Sequence, residues 1–347
     1  MGISVVIPSY NDGPRLPRTI APLLADPATD ELIIVIDGSD DGSFEALQAR
    51  ARKDLRVRPF FIENRGRPAA CQFGIEQARS DVVLLIDADV VAANDFLVTG
   101  HARWHEDAVA RLVVGYMPLT ASRRCPGSFV REHYSRMYEL RAAEFERNPS
   151  VILTGLWAGN MSLPRSALEA AGGFDANLGL RYNDDLELGL RLAGTGLEPV
   201  FDRRLLAEHD FERSVRVYLS TARKYGEDLA RIEARHPGKV VMPHPPRSRL
   251  DAAVRRLVAR RRIHRVLLSV GTRCVEVMGF LGIYKVEGQV GHKLERLQIE
   301  MGMLDARRAI RSSGSPKWDC GPVGDLGSIR PRRVTRAARA RASRRTP

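Results

Sequence analysis

The sequence predicts an α/β fold, a doubly wound and mainly parallel sheet that is followed by a C-terminal helical extension. Strand and helix patterns alternate over the first 90 residues, and the strand runs are short, apolar and continuous. Such runs are typical of strands that are buried on both faces of a parallel sheet. Each run also ends in a polar turn, and strand–helix alternation at this spacing favours the doubly wound arrangement.

The first half of the chain carries the regular part of the pattern. Its predicted strands lie at 3–8, 32–36, 57–62 and 82–86, and they alternate with predicted helices at 16–24, 44–52 and 68–78. Proline close to the start of the third helix suits a first helical turn, where no backbone N–H is needed. The spacing therefore predicts consecutive strand–helix units that feed one sheet.

The pattern changes after residue 113, where arginines and aromatic residues become frequent. The predicted elements of this part are helices at 128–147, 165–171, 184–193 and 215–234 and an extended segment at 156–163. Glycine pairs and a His-Pro-Gly stop end several of these helices, as is typical of helix C-termini. Residues 312–347 are rich in Ser, Gly, Pro and Arg and are predicted to be disordered.

The fourth predicted strand runs directly into Asp87-Ala88-Asp89. Ligands of open α/β sheets lie beyond the carboxyl ends of the strands. Two carboxylates one residue apart in an extended chain point to the same side. Their hard oxygen atoms suit Mn²⁺ or Mg²⁺, ions that proteins commonly share with substrate phosphates. The segment thus predicts a metal and a phosphate-bearing substrate, although a solvated acidic turn would have the same short pattern.

Composition excludes several classes of protein. Four cysteines are far apart and form no C-x-x-C pair, which argues against a zinc site and a disulfide scaffold and favours a reducing compartment. The N-terminus lacks the basic and apolar regions of a signal peptide. We therefore expect a cytoplasmic protein.

The net charge of +12 is concentrated near the C-terminus. Residues 330–347 hold eight arginines and no acid, and residues 247–265 hold eight arginines and one aspartate. Residues 266–284 are apolar but include Arg273 and Glu276, which makes a simple membrane span too costly. This pattern suits an anionic membrane surface on the inner face of the plasma membrane. A solvated helix packed on the catalytic part explains it equally well.

Several short motifs occur in a fixed order. They are Ser4–Asn11 (SVVIPSYN), Val35–Ser43 (VIDGSDDGS), Asn64-Arg65-Gly66 with Ala70 and Gly74, Asp87-Ala88-Asp89, Gly159-Asn160, Gly172–Asp175 (GGFD) and Asp184–Arg191 (DDLELGLR). Each motif is weak alone, but together and in this order the segment 3–215 resembles the family 2 glycosyltransferases. That resemblance implies the GT-A fold, a nucleotide-sugar donor and inversion at the anomeric carbon.

The resemblance also implies a set of substrate-binding residues. On the donor side they are Pro8, Tyr10, Asn11, Asp37, Asn64, Arg67 and Asp87, and on the sugar and acceptor side Trp157, Asn160 and Asp184. Tyr10 would stack on a uracil ring whose N3–H donates to Asp37. Arg67 precedes a predicted helix N-terminus, which is a place suited to phosphate.

The same resemblance assigns the chemistry. Asp87, Asp89 and His209 would bind Mn²⁺ or Mg²⁺, which neutralises the diphosphate leaving group. Asp185 would be the general base that takes the proton of the acceptor hydroxyl. Two departures stand out, since Ile36 replaces the first Asp of the family's D-D-G-S and Gln72 replaces the second Asn of its N-x-G pattern.

These assignments divide the chain into four parts. Residues 1–115 form the nucleotide-sugar-binding half, 116–215 the acceptor-binding half with the base, 216–311 a basic, partly apolar helical extension and 312–347 an Arg-rich tail. The expected partners are a nucleotide-sugar donor, most simply a UDP-sugar, and a glycan or lipid-linked acceptor. Nucleic acid is not expected.

Three competing interpretations remain open on sequence alone. A dinucleotide-binding oxidoreductase is disfavoured because no G-x-G-x-x-G follows the first strand. A sugar nucleotidyltransferase would have a basic, Gly-rich loop where this chain has PSYNDG. A non-catalytic nucleotide or nucleic-acid binding module of the same fold is disfavoured by the presence of Asp87, Asp89 and Asp185.

Overall fold

The computed structural model describes residues 2–120, 129–211, 213–240, 249 and 261–312. Most of the predicted basic helix at 247–265 and nearly all of the predicted disordered tail lie outside the described residues. The described residues therefore cover most of the proposed catalytic part and the apolar portion of the helical extension.

One sheet of eight strands organises the described part of the chain. The strands are β1 Ile3–Ser9, β2 Thr29–Asp37, β3 Val57–Ile62, β4 Val82–Ile86, β5 Val90–Ala92, β6 Arg111–Tyr116, β7 Asn160–Pro164 and β8 Glu198–His209. Their order across the sheet is β3-β2-β1-β4-β7-β6-β8-β5. The first four are mutually parallel, β7 is antiparallel to β4 and β6, and β8 runs parallel to β6.

Ten helices of the described residues surround this sheet or extend from it. They are α1 Leu16–Ala25, α2 Ser43–Ala51, α3 Arg67–Gln77, α4 Leu97–Arg103, α5 Phe129–Arg147, α6 Arg165–Ala170, α7 Asp184–Leu192, α8 Val215–Arg235, α9 Arg261–Phe280 and α10 Tyr284–Ser312. Short 3₁₀ turns occur at Pro149–Thr154 and Ala176–Leu178.

The predicted fold class is confirmed, and β1–β4 with α1–α3 lie where the sequence places them to within a few residues. Strands β5 and β6, helix α4 and most of β8 escaped prediction. The predicted extended segment at 156–163 is wrong in its first half, because strand β7 begins at Asn160. Residues 157–159 instead lie beside the end of β4, where the carbonyl of Gly159 accepts the backbone N–H of Asp87.

Two apolar layers sandwich the sheet. Side chains of β1, β2 and β4 alternate between a layer with α1 and α4, which includes Ile34 and Leu84, and a layer with α3 and α7, which includes Ile33 and Leu85. Both layers are fully buried, as expected for a parallel sheet that is covered on both faces. The carboxyl ends of β1, β2 and β4 are therefore held at one rigid edge.

The helical extension packs on the catalytic part through one side of α9 and α10. Val275 of α9 is fully buried among Phe129 of α5 and Leu219 of α8. Glu295 of α10 accepts one hydrogen bond from Tyr218 and pairs with His133 at 3.2 Å. Among the helices that the structure describes, none is both long and apolar enough to cross a bilayer.

Candidate active site

The turns after β1 and β2 are hydrogen-bonded to each other. The backbone N–H of Asn11 donates to Ser39 Oγ, and that of Gly13 donates to Asp41 Oδ2, both at 2.8 Å. Asn11 has a left-handed backbone with φ of 56°, which asparagine tolerates better than most residues. Tyr10 is 53% exposed at this rim, so its ring is available to a ligand. Pro8 is buried within β1 beside Val35.

Asp37, at the end of β2, fixes the loop that leads into α3. Its two carboxylate oxygens accept the backbone N–H groups of Arg65 and Gly66, each at 2.8 Å. Burial raises the pKa of Asp37 against these hydrogen bonds, which favour the ionised form. Asn64 is exposed in the same loop. A carboxylate has about four acceptor positions, so Asp37 can accept further hydrogen bonds. Its contact to the edge of a base stays a prediction.

Arg67 joins the elements of the site. Its Nε and Nη2 donate to Asp87 Oδ1 at 3.0 and 2.8 Å, and its Nη1 donates to Asp184 at 2.5 Å. Although burial lowers the pKa of Arg67, the two carboxylates raise it well above its ordinary value. These contacts use three of the five guanidinium N–H groups, so two remain for the predicted phosphate.

Asp89 and His209 meet beside the antiparallel pair β5–β8. His209 Nε2 lies 3.4 Å from Asp89 Oδ2. Burial raises the pKa of Asp89, but the hydrogen bond and charge of His209 outweigh it, so that the pKa is lowered. Tyr134 stacks on Phe211 with ring centroids 4.2 Å apart, and both rings contact the imidazole edge-on. The imidazole is thereby held in one orientation.

Asp87, Asp89 and His209 suit a divalent cation in chemistry, and the pair Asp89–His209 also suits one in spacing. Two carboxylates and an imidazole suit Mn²⁺, and carboxylates with water suit Mg²⁺. Ligand atoms that share such an ion at about 2.1 Å lie roughly 3 Å apart, close to the observed Asp89–His209 separation. A methyl group added at Gly159 would approach Asp87 Oδ2 to 2.7 Å, so glycine keeps that oxygen accessible. Asp87 Oδ1 is already occupied by Arg67.

Asp184 and Asp185 begin α7, where the helix dipole favours negative charge. Asp184 is buried against Arg67, whereas Asp185 makes no ion pair within the described part of the chain. One oxygen of Asp185 accepts the N–H of Leu186 at 2.8 Å. Burial and the charge of Asp184 raise the pKa of Asp185 to about 7, although Arg67 opposes this. Such a carboxyl is poised for proton transfer near neutral pH.

Residues of α8 that the sequence analysis missed hold the start of α7. Asp228 is 1% exposed, and one of its oxygens accepts the backbone N–H groups of Arg181 and Tyr182, both at 2.9 Å. The Asn183 amide donates to the carbonyl of Tyr225. Asp228 lies 43 positions after Asp185 in a helix, where an aspartate carries no recognisable signal. Its long-range partner emerges only from the tertiary structure.

Two predicted substrate residues do not join the acidic cluster. Asn160 is fully buried, since its Oδ1 meets His101 Nε2 at 2.9 Å and its Nδ2 donates to the carbonyl of Leu205 at 3.0 Å. Trp157 stacks on Tyr138 with ring centroids 4.0 Å apart. Neither side chain contacts the acidic cluster through a hydrogen bond among the described residues, and the predicted roles of Asn160 and Trp157 in substrate binding stay predictions.

The two departures from the family pattern have structural explanations. Gln72 Oε1 accepts the backbone N–H of Phe174 at 2.9 Å, which ties α3 to the Gly-Gly turn. Gly173 has φ of +61°, and a Cβ there would lie 2.0 Å from Gln72 Oε1. Ile36 is fully buried in an apolar layer. The turn after β2 therefore presents Asp37, and not its neighbour, at the sheet edge.

Comparison with known proteins agrees with this architecture. Residues 4–168 match the profile of glycosyl transferase family 2. A mannosyltransferase from Pyrobaculum calidifontis, solved in complex with GDP-Man and Mn²⁺, has a similar fold with a TM-score of 0.53 over 87% of this chain and 86% of that one, at 15% identity. That likeness defines the fold class as a GT-A glycosyltransferase fold.

Curated relatives match the donor half in sequence. An undecaprenyl-phosphate 4-deoxy-4-formamido-L-arabinose transferase of Pseudomonas aeruginosa is 44% identical over 94 residues, 25% of this chain and 28% of that protein. The glycosyltransferase GlyG of Streptococcus pneumoniae is 34% identical over 115 residues, 33% of this chain and 38% of that protein. The matched segments thus span under two fifths of either relative. The similarity to glycosyl transferase family 2 thus covers residues 4–168, a little under half of the chain.

Proposed function

We propose that this chain transfers a sugar from a nucleotide-diphosphate donor to an acceptor hydroxyl, with inversion and with help from a divalent cation. The observation that carries the proposal is the bridge made by Arg67 between Asp87, at the end of β4, and Asp184, at the start of α7. It holds the predicted donor-side carboxylate beside the residue pair that contains the predicted base. The donor-binding and acceptor-binding residues would therefore lie on either side of Arg67.

On the donor side, the exposed Tyr10 offers a flat face to the nucleotide base. A cation held by Asp87, Asp89 and His209 would neutralise charge on the departing nucleoside diphosphate. Arg67 keeps two N–H groups for the same phosphates. These residues support a nucleoside diphosphate donor, and a UDP-sugar is our first choice because Tyr10 and Asp37 suit a pyrimidine.

On the acceptor side, Asp185 would accept the proton of the attacking hydroxyl as the new glycosidic bond forms. In-line attack opposite to the leaving nucleotide inverts the anomeric carbon. Asp228 supports the base through the backbone of residues 181 and 182, which restricts the loop before α7. A glycan or lipid-linked acceptor is proposed, and the name of the Pseudomonas relative, an undecaprenyl-phosphate transferase, supports the lipid-linked class.

The test of this function is a product assay with a panel of nucleotide-sugars. We expect nucleoside diphosphate release from a UDP-sugar that requires both acceptor and Mn²⁺ or Mg²⁺ and stops in EDTA. A GDP-sugar is the matched donor control. The proton coupling of the anomeric carbon in the product should show inversion. Nucleotide binding without turnover over the whole donor and acceptor panel would instead support the non-catalytic binding module.

We also propose that α9 lies against an anionic membrane surface on the inner face of the plasma membrane. Opposite its packed side, α9 exposes Val266, Val270, Val277 and Phe280 by 62%, 63%, 50% and 92%. Steps of three and four residues place them on one face of the helix, which also carries the exposed Arg273. The arginine-rich segment before α9 supplies basic charge. Val275 packs on the opposite face of α9, so the proposed membrane contact would leave the packed side unchanged.

Vesicle flotation of the full chain tests this surface. We expect flotation with phosphatidylglycerol vesicles at low salt, weaker flotation at high salt and none with phosphatidylcholine. The double variant Val270→Glu/Phe280→Glu should abolish flotation, because it places acids on the apolar face. Leu55→Glu is the matched control, since Leu55 is 89% exposed in the donor half. Equal flotation of all three proteins would contradict the proposed surface.

A further inference from the structure

A cavity lies between α8, α9 and α10, away from the acidic cluster. Its volume is about 610 Å³, and none of the candidate catalytic or metal-binding residues lines it. Four arginines contribute to its wall: Arg216, Arg223, Arg265 and Arg308. No part of the proposed glycosyl transfer requires this cavity.

The wall carries excess positive charge. Asp305 is the acid of the lining, and it pairs with Arg223 and lies 4.0 Å from Arg308. Arg223 also lies 3.8 Å from Glu227, so these two arginines share two carboxylates. Arg216 makes no ion pair with any residue that the structure describes. Guanidinium groups that converge on one cavity favour a doubly bonded anion such as phosphate.

Two polar atoms in the same wall are buried without a hydrogen-bond partner among the described residues. They are His264 Nδ1 and Gln298 Oε1, on side chains that are 6% and 2% exposed. Burial and Arg223 lower the pKa of His264, while the nearby Gln298 side chain raises it. A buried polar atom without a partner is costly. A ligand that offers both acceptor and hydroxyl groups would satisfy this pair.

The remaining wall is apolar, with Leu219, Leu268 and Met301. We propose that this cavity binds the phosphate group of a phosphate ester, which the arginines contact while the rest of the ligand lies on the apolar wall. A soluble phosphate ester and the head group of an anionic phospholipid share this chemistry. The lipid is favoured because Val266 and Val270, on the exposed apolar face of α9, adjoin the cavity residues Arg265 and Leu268 in the same helix.

The inference is tested by calorimetry on the full chain with two probes. One is glycerol 3-phosphate, and the other is dihexanoyl phosphatidylglycerol below its micelle concentration, with dihexanoyl phosphatidylcholine as the neutral control. We expect the anionic lipid to bind, and Arg216→Gln and Arg308→Gln each to weaken binding by about fivefold or more, as loss of a charge-assisted hydrogen bond implies. Arg307→Gln is the matched control, because Arg307 is an exposed neighbour that does not line the cavity.

Each outcome decides the assignment. Weaker binding in the two cavity variants, with unchanged binding in Arg307→Gln, supports the site. The probe that binds more tightly then identifies the ligand as a soluble phosphate ester or an anionic phospholipid. Equal losses in all three variants would mean diffuse attraction by a basic surface and would overturn the proposal, as would the absence of binding by both probes. Melting temperatures report whether the variants are folded. UDP binding in the same samples separates a failure here from a failure of the proposed glycosyl transfer.

Discussion

Asp185→Asn is expected to lower turnover by about 10²-fold or more while leaving donor binding intact, in line with typical general-base contributions. The amide keeps the size of the side chain and can still accept the Leu186 N–H, but it does not take up a proton at neutral pH. Single-turnover kinetics with saturating donor and acceptor measure this loss. Asp185→Glu is the companion variant, since a carboxylate on a longer arm should restore part of the rate. Turnover near that of the unaltered protein in Asp185→Asn would move the base to another residue.

The pKa of Asp185 gives the same residue a second, independent readout. Because only the ionised carboxylate is a base, the rate should rise as the pH passes through about 7. The folded-state pKa is raised above the ordinary value, so folding favours the protonated form. Stability from this group is therefore present at low pH and is lost as the pH rises towards the folded pKa. In EDTA at pH 8, Asp185→Asn should melt at a higher temperature than the unaltered chain, whereas the two should converge near pH 4.

The elements that the sequence placed well are those with one dominant signal. The run Val82–Ile86 is apolar throughout and is followed by acids. Its sequence therefore predicts both that the strand is buried and where it ends, and β4 has these bounds. Strand β6 combines Arg111 and Tyr116 with a short apolar centre, and its neighbours β7 and β8 come from much later in the chain. The pairing of β6 depends on these distant strands, so no local sequence pattern predicts it.

The residues of the candidate site likewise include some that the sequence predicted and some that it did not. The order of the motifs predicted that Asp87 and Asp184 belong to one site, and the structure joins them through Arg67. The direction of the Asn160 side chain could not be predicted, because it depends on a hydrogen bond to His101 in a helix that the sequence did not reveal. Asp228 was equally hidden, since its partners are backbone groups of a distant loop. Side-chain direction and backbone partners are set by packing, which motif order does not encode.

Asp89→Ala is expected to remove the Mn²⁺-dependent part of nucleotide binding. Asp89 and His209 lie 3.4 Å apart at the sheet edge, where a shared cation would hold them and the diphosphate together. Without Asp89, the cation loses a charged ligand, and the phosphates face Asp87 without compensation. Calorimetric titration of UDP should show affinity that increases with Mn²⁺ in the unaltered chain. In the variant, we expect affinity in Mn²⁺ to fall by about tenfold or more, to the level measured in EDTA.

The matched control for this variant is Asp95→Ala. Asp95 is an exposed acid just beyond β5, so its removal changes the net charge equally but leaves the proposed ligands in place. A general electrostatic effect would change UDP binding in both variants, because both remove one negative charge. His209→Gln should have a smaller effect than Asp89→Ala, because it removes a neutral ligand and keeps both carboxylates. Mn²⁺-dependent affinity that survives in Asp89→Ala would show that the cation binds elsewhere, and the Asp87-Ala88-Asp89 segment would then be an acidic turn stabilised by Arg67 and His209.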